Sequence, residues 1–223
     1  MISLCIRQIS AILSPEFALP PEFVSLGKYK KSPKIDGFNI LELRRMGNAL
    51  KCAVSLIKEF NLDIKDIPIV FSSYSGEINR CVALLKSLKD EFVSPTSFSL
   101  SVLNATPAQA AIIYCNQKEI SSISAREGLE YGLLESYLKP FNRVFLINYE
   151  EVSKDLENFD YYALGVLLDK DYYQKQCYLE YMGNDWGECK EDIFKSAFYL
   201  LQYFNEAEEK TWNTNSRWKW RML

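Results

Sequence analysis

The chain of 223 residues contains no histidine. That absence removes the commonest general base near neutral pH, a common zinc ligand, and the partner of Ser/His and Cys/His pairs. Most simple hydrolase readings fail on it. Glycine is scarce at nine residues, and none fall into G-x-G-x-x-G or G-x-x-x-x-G-K-[ST], so the dinucleotide and P-loop phosphate cradles have no support. No stretch approaches the ~18 to 20 uninterrupted apolar residues of a membrane span. The opening "MISLCIRQISAILSP" is broken by Arg7 and has no basic segment before it, which argues against a secretory signal. A soluble, cytoplasmic protein is expected. The six cysteines, Cys5, Cys52, Cys81, Cys115, Cys177 and Cys189, form no C-x-x-C pair, so reduced, buried thiols are expected rather than a zinc or redox site. No metal and no cofactor are implied.

What is present is ordinary for a folded protein, with 48 % hydrophobic and 25 % charged residues, enough for one domain over residues 1–223. Net charge is -3, which argues against nucleic acid as the main partner. The charge is uneven: residues 1–60 carry nine Lys/Arg against five acids. Lys28, Lys30, Lys31 and Lys34 cluster in "KYKKSPK", within a Pro-, Gly- and Lys-rich excursion.

From Asn39 the pattern changes. "NILELRRMGNALKCAVSLIKEF" sets Leu43, Met46, Leu50, Ala53, Ile57 and Phe60 at steps of three and four, which predicts one amphipathic helix with Asn39 as N-cap and Glu42 as its capping-box partner. "IPIVFSSY" predicts a buried strand, followed by a helix over "GEINRCVALLKSLKDEF" with Ile78, Cys81, Leu85 and Leu88 on one face. "NATPAQAAIIYC" predicts a helix with Thr106 as N-cap, Pro107 at N1 and Gln109 at N3. "EISSIS" predicts a strand, and "AREGLEYGLLESYL" a helix whose start is boxed by Ser124 and Glu127. "RVFLINYEE", "YYALGVLLDK" and "CYLEYMG" predict three further strands, and the segment from Glu188 a closing helix with acids in its first turn. Strands alternating with helices predict a mixed-sheet α/β domain in layers.

The junction at Ser124 is where a nucleophile elbow would sit. The flanking glycines of G-x-S-x-G are missing, no histidine exists to deprotonate Ser124, and the cap role accounts for it. An acyltransferase or hydrolase using Ser124 is the alternative. The carboxylate pairs Glu150 with Glu151, and Glu188 with Glu191 and Asp192, read as solvated charge. The tail "WNTNSRWKWRML" interleaves Trp218 and Trp220 with Arg217, Lys219 and Arg221. That pattern fits a single-strand nucleic-acid binder or, preferably, a strand with tryptophans inward and charges outward.

The stretch "SPTSFSLSVLNATPAQAAIIYCNQKEISSISAREG" resembles the N-terminal half of β-ketoacyl synthases, with Asn104, Ala105, Gln109, Ala110 and Ile112 matching the helix that precedes the nucleophile strand. "VFSSYSGEINRCVALLKSL", "SPTSFSLSVLNA", "EGLEYGLLES" and "WKWR", in this order, resemble the short, chain-length-factor-like synthase homologues of aryl polyene and related fatty-acid-type systems. The resemblance implies a thiolase-like fold, layered α-β-α with a mixed sheet. A full synthase has two such halves, with the cysteine on the first and two histidines on the second; this chain corresponds to the first. Its elbow lies among Ser124, Ala125, Arg126 and Glu127, none of which is cysteine. The resemblance therefore implies a non-catalytic subunit that associates with an active β-ketoacyl synthase, or with a second copy of itself. By the same analogy Ser121, Ser122 and Ile123 lie near a subunit interface, and Phe98, Leu100 and Asn104 near a tunnel or interface; the clustered positive charge of Lys28, Lys30, Lys31 and Lys34 suits an encounter with an acidic acyl carrier protein.

Overall fold

The computed structural model describes residues 1–90, 93–152, 161–183, 193–206, 208–215 and 217–223. In chain order the elements are β1 (Ile2–Leu13), a 3-10 helix (Pro21–Tyr29), α1 (Ile40–Arg45), α2 (Asn48–Glu59), β2 (Ile69–Ser72), α3 (Ile78–Ser87), α4 (Pro95–Ser99) and α5 (Ala105–Ile113). There follow β3 (Ile120–Ile123), α6 (Gly128–Leu138), β4 (Arg143–Glu151), β5 (Tyr161–Asp169), β6 (Gln176–Tyr181), α7 (Lys195–Tyr203), β7 (Lys210–Thr214) and β8 (Trp218–Met222). Together the strands form one eight-stranded sheet in the order β3-β2-β4-β5-β1-β6-β8-β7. β2 runs parallel to β3 and β4, and every other neighbouring pair is antiparallel.

Period two explains how one sheet serves two cores. In β4, Phe145, Ile147 and Tyr149 point into one core, beneath α2 and α5; Val144 and Leu146 point into the other, beneath α6 and α7. The result is the mixed, helix-covered sheet that the alternation of elements predicts, in the layered α-β-α arrangement that the resemblance implies. The second core continues into the tail, where Trp212, Trp218, Trp220 and Met222 are buried while Lys219 and Arg221 face water. Trp212 and Trp220 stack at 5.4 Å. The inward-tryptophan strand is therefore present, and the single-strand nucleic-acid reading loses the rings on which bases would stack.

Several local expectations need correction. The helix expected from Asn39 to Phe60 is two helices. Its start is as predicted, since Asn39 accepts from the Leu41 and Glu42 amides and Glu42 accepts from the Asn39 amide. It then breaks at Met46 and Gly47, both in extended backbone. Glu77 causes the break: its carboxylate reaches in from 30 residues downstream, accepts from the Ala49 amide at 3.3 Å, and fills the space where a side chain on residue 47 would stand, 1.7 Å from an added Cβ.

Residues 2–13 carried no predicted element, yet they form the longest strand and lie mid-sheet. Apolar residues on both faces, and a register irregularity between Ile6 and Gln8, hide the alternation. The Pro-rich excursion is not merely extended: Phe17, Phe23 and Leu26 are buried, and Phe23 packs edge-on against Phe198 and Tyr199.

α5 starts one residue before Thr106, which is buried inside the helix, and Asn104 precedes it without a side-chain cap bond. α7 has no acid in its first turn; Glu188, Glu191 and Asp192, on which that expectation rested, lie outside the described residues. The α3 stripe does not enter the core at all, since none of its residues is buried.

Candidate functional site

Three parallel strands end together. Beyond the C-terminal ends of β2 and β3 lie the loop 73–77 and the junction Ser124–Glu127, beside the last residues of β4, Asn148 to Glu151, and the N-terminus of α6. In open α/β sheets this is the end at which ligands and catalytic groups collect.

The elbow itself is not built as predicted. α6 begins at Gly128, not at Ala125, and no side chain caps it. Ser124 and Arg126 are exposed, and the Ser124 hydroxyl has no hydrogen-bond partner among the described residues. The Ser124–Glu127 capping box is therefore absent, because Glu127 is drawn elsewhere. It is buried, accepts from Trp218 Nε1 at 3.1 Å, and pairs with Arg217 at 3.3 Å. Among the described residues no carboxylate or lysine is hydrogen-bonded to Ser124 to take its proton.

What sequence patterning missed is the density of buried carboxylates around this end. Glu150 and Glu151, read as solvated, are buried, with Glu150 only 2 % exposed. Glu150 Oε1 accepts from the Tyr74 amide at 2.6 Å; its Oε2 accepts from the Ser75 amide at 2.9 Å and from the hydroxyls of Ser75 and Ser73 at 2.8 and 3.3 Å. Burial outweighs these donors and pushes its pKa up to about 7. Glu151 accepts from the Asn79 amide at 2.9 Å and from the Tyr149 hydroxyl at 2.6 Å, and burial raises it too. On α6, Glu130 accepts from Ser196 and Thr214, and burial again raises its pKa. One signal was available in the sequence: Asn148 and Glu150 alternate along an otherwise apolar strand, which puts them on one face at its end.

The second feature is an apolar surface on α3 and α4. α3 and α4 enclose a groove of ≈ 360 Å³ lined by Cys81, Leu84, Leu85, Leu88, Val93, Phe98 and Ser101. Leu85 is 64 % exposed and Phe98 62 %. Leu100 is half-buried and Asn104 exposed, both outside the groove lining, so of the predicted tunnel residues only Phe98 belongs to it. α5, packed on β3, turns Ile112 outward at 76 % exposure. Cys81 is half-buried, and burial raises its thiol pKa, so the thiolate is disfavoured there.

β3 ends the sheet, as does β7 at the other side. The β7 end is guarded in the usual way, by Lys210 paired with Glu206 at 3.0 Å and by exposed Thr211 and Asn213. β3 carries only Ile120, Ser121, Ser122 and Ile123. Ser121 is held from α6 by Glu135 at 3.0 Å and from just beyond it by Lys139 at 2.7 Å, whereas the buried Ser122 hydroxyl has no partner among the described residues. The lysine cluster is less uniform than its spacing implies: Lys28, Lys30 and Lys34 are exposed, but Lys31 pairs with Glu59 at 2.7 Å.

No group of three or more metal-ligating side chains occurs among the described residues, and no helix there is long and apolar enough to cross a membrane. Cys52 and Cys177 are buried, and burial pushes Cys177 up to about 12. Cys115 is an exposed exception to the expected burial, and Cys189 lies outside the described residues.

Residues 24–221 match the family model described as the β-ketoacyl synthase N-terminal domain. Among solved structures, one titled as a ketosynthase (ApeO) in complex with its chain length factor (ApeC), from Xenorhabdus doucetiae, superposes with a TM-score of 0.73 at 20 % identity, covering 100 % of this chain and 99 % of the other. The ishigamide ketosynthase/chain length factor superposes with a TM-score of 0.54 at 13 % identity, covering 80 % and 67 %. The fold is thus the thiolase-like one that the motifs imply. No curated relative matches.

Proposed function

Since the chain belongs to the β-ketoacyl synthase N-terminal domain family, we propose that it is a ketosynthase-like subunit without condensing activity of its own. It pairs with an active β-ketoacyl synthase and helps to bound the acyl chamber during aryl polyene or fatty-acid-like chain elongation, in the manner of a chain length factor. The observation that carries this reading is the exposed apolar groove of α3 and α4. An exposed hydrophobic face of this kind is a surface suited to a protein partner, and β3, at the end of the sheet, offers strand pairing as well. Two solved relatives of the fold are a ketosynthase with its chain length factor, which supports a heterodimer over a homodimer.

The inactive character rests on chemistry. Condensation in this family needs a thiol to carry the acyl group and histidines to assist decarboxylation, and the elbow at Ser124, Ala125, Arg126 and Glu127 offers no thiol, while the chain has no histidine. In this reading Phe98, Ser121, Ser122 and Ile123 contact the partner synthase, with Leu100 and Asn104 at the margin of that contact. Lys28, Lys30 and Lys34 steer an acidic acyl carrier protein, Lys31 contributing less because Glu59 neutralises it. Residues 1–223 act as one cytoplasmic domain.

The test is co-expression with a cognate ketosynthase followed by size exclusion. Co-elution at micromolar concentration is the expected result, and separate elution overturns the pairing. An acyl probe that labels wild type but not Ser124→Ala overturns the inactive assignment in favour of an acyltransferase.

A further inference from the structure

β3 is short, and none of its residues is buried, so little apolar contact fixes its place. It pairs with β2 along one side, flanked by main-chain bonds from the Ile69 amide to the Glu119 carbonyl at 3.2 Å and from the Ser73 amide to the Ile123 carbonyl at 3.0 Å. Its other side has no strand among the described residues. From the α6 side it is held by Lys139, the first residue beyond that helix.

Lys139 Nζ donates to Ser121 Oγ at 2.7 Å, to Glu135 Oε1 at 2.8 Å and to Glu119 Oε1 at 2.9 Å. An ammonium has three N–H groups, and all of them are used. Glu119 and Ser121 are two positions apart, so their side chains share a face only where the backbone is extended, and this set of bonds therefore selects the strand conformation. Ser121 Oγ closes the set by donating to Glu135 Oε1 at 3.0 Å. Burial works against the ammonium, but the bonds to Glu135 and Glu119 outweigh it and raise the Lys139 pKa, while the bond from Lys139 lowers that of Glu135. The pair is ionised at neutral pH. The backbone of Lys139 is fixed as well: Pro140 restricts the residue before it to extended conformations, φ is -61° and ψ 137°, and the Lys139 carbonyl accepts from Lys170 Nζ at 2.8 Å.

A lysine at a sheet edge usually blunts it against pairing. Lys139 is turned instead to the α6 face of β3, is only 10 % exposed, and has its charge met by two carboxylates. We propose that Lys139 is a positioning residue for the partner contact: it holds β3 extended and keeps its own charge off the sheet edge, so that a strand of the partner synthase can add to it. This rests on the pairing with a ketosynthase proposed above, and names the residue that prepares this chain's side of it.

Hydrogen exchange on the whole chain and calorimetry with a cognate ketosynthase test the two halves separately. In Lys139→Met the opening equilibrium of peptides covering residues 118–124 should rise at least about tenfold, with residues 143–148 of β4 unchanged, and affinity for the synthase should fall about tenfold. Lys139→Arg, which keeps a charged donor, should stay within about threefold of wild type in both. An unchanged β3, or exchange that rises equally in β4, overturns the positioning role. A looser β3 with unchanged affinity overturns its use in the contact. Wild type that binds no synthase overturns the pairing and the contact role with it, and the exchange result alone then decides whether Lys139 holds β3. Should Lys139→Met fail to fold, Ser121→Ala takes its place: a rise of about threefold in the same peptides supports the proposal, and no rise overturns it.

Discussion

α2 and α3 are written in the same code and end in opposite environments. Each carries an apolar stripe at helical spacing, and each starts without a capping side chain of its own. In α2, Leu50, Ala53, Leu56 and Ile57 are sealed against β5 and α5; in α3, Leu85 stands in water and no residue is buried. The difference teaches that periodicity specifies a face and not the surface that covers it. For α2 the cover is the chain's own sheet, and for α3, in our reading, it is another chain.

Substitutions can break that contrast or sharpen it. Leu50→Ala should cost about 2–5 kcal/mol in a denaturant titration of the isolated chain, while Leu85→Ala should stay within about 0.5 kcal/mol. Equal losses would mean that α3 is as integral as α2. Gly132→Ala in α6 sets a Cβ 2.8 Å from Leu146 Cδ1 and 2.9 Å from Ser72 Oγ, so a loss of ~1–3 kcal/mol is expected from overpacking by the same titration. It belongs with α2 in the comparison, as a helix packed on its own sheet.

Leu85→Asp combined with Phe98→Asp should leave the melting temperature unchanged and weaken binding to a ketosynthase at least about tenfold, or ~1.4 kcal/mol, by calorimetry. Unchanged affinity would leave the α3 face without a use. Smallest of all, Lys28→Glu with Lys30→Glu should lower carrier-protein affinity by about two- to threefold at low salt and not at high salt. No effect at low salt removes the lysines from the reading.

Much of the layering was legible in the sequence, because local signals and tertiary needs agree there. Asn39 and Glu42 form the box their spacing predicts, and the Trp218–Trp220 alternation produces the strand it predicts. Where the reading failed, a distant residue had intervened. Glu77 interrupts a continuous helical stripe at Gly47, and Arg217 with Trp218 takes Glu127 from its cap. Glu150 and Glu151 look like surface charge because the amides and hydroxyls that solvate them come from residues 73–79. The lack of histidine was legible outright, since an absent residue type needs no tertiary information.

The position of β1 has a consequence for the order of events during synthesis. Ile2–Leu13 is made well before its partners β5 and β6, which lie 149 to 177 residues further along the chain. Until residue 181 has emerged, the middle of the sheet cannot close, and an apolar strand waits with both edges open. Such long-range pairing slows folding, so the nascent chain spends its longest interval in the form most prone to strand-to-strand aggregation. Expression that slows elongation late in the message, after β6, should leave the yield unchanged, and slowing it before β5 should lower it.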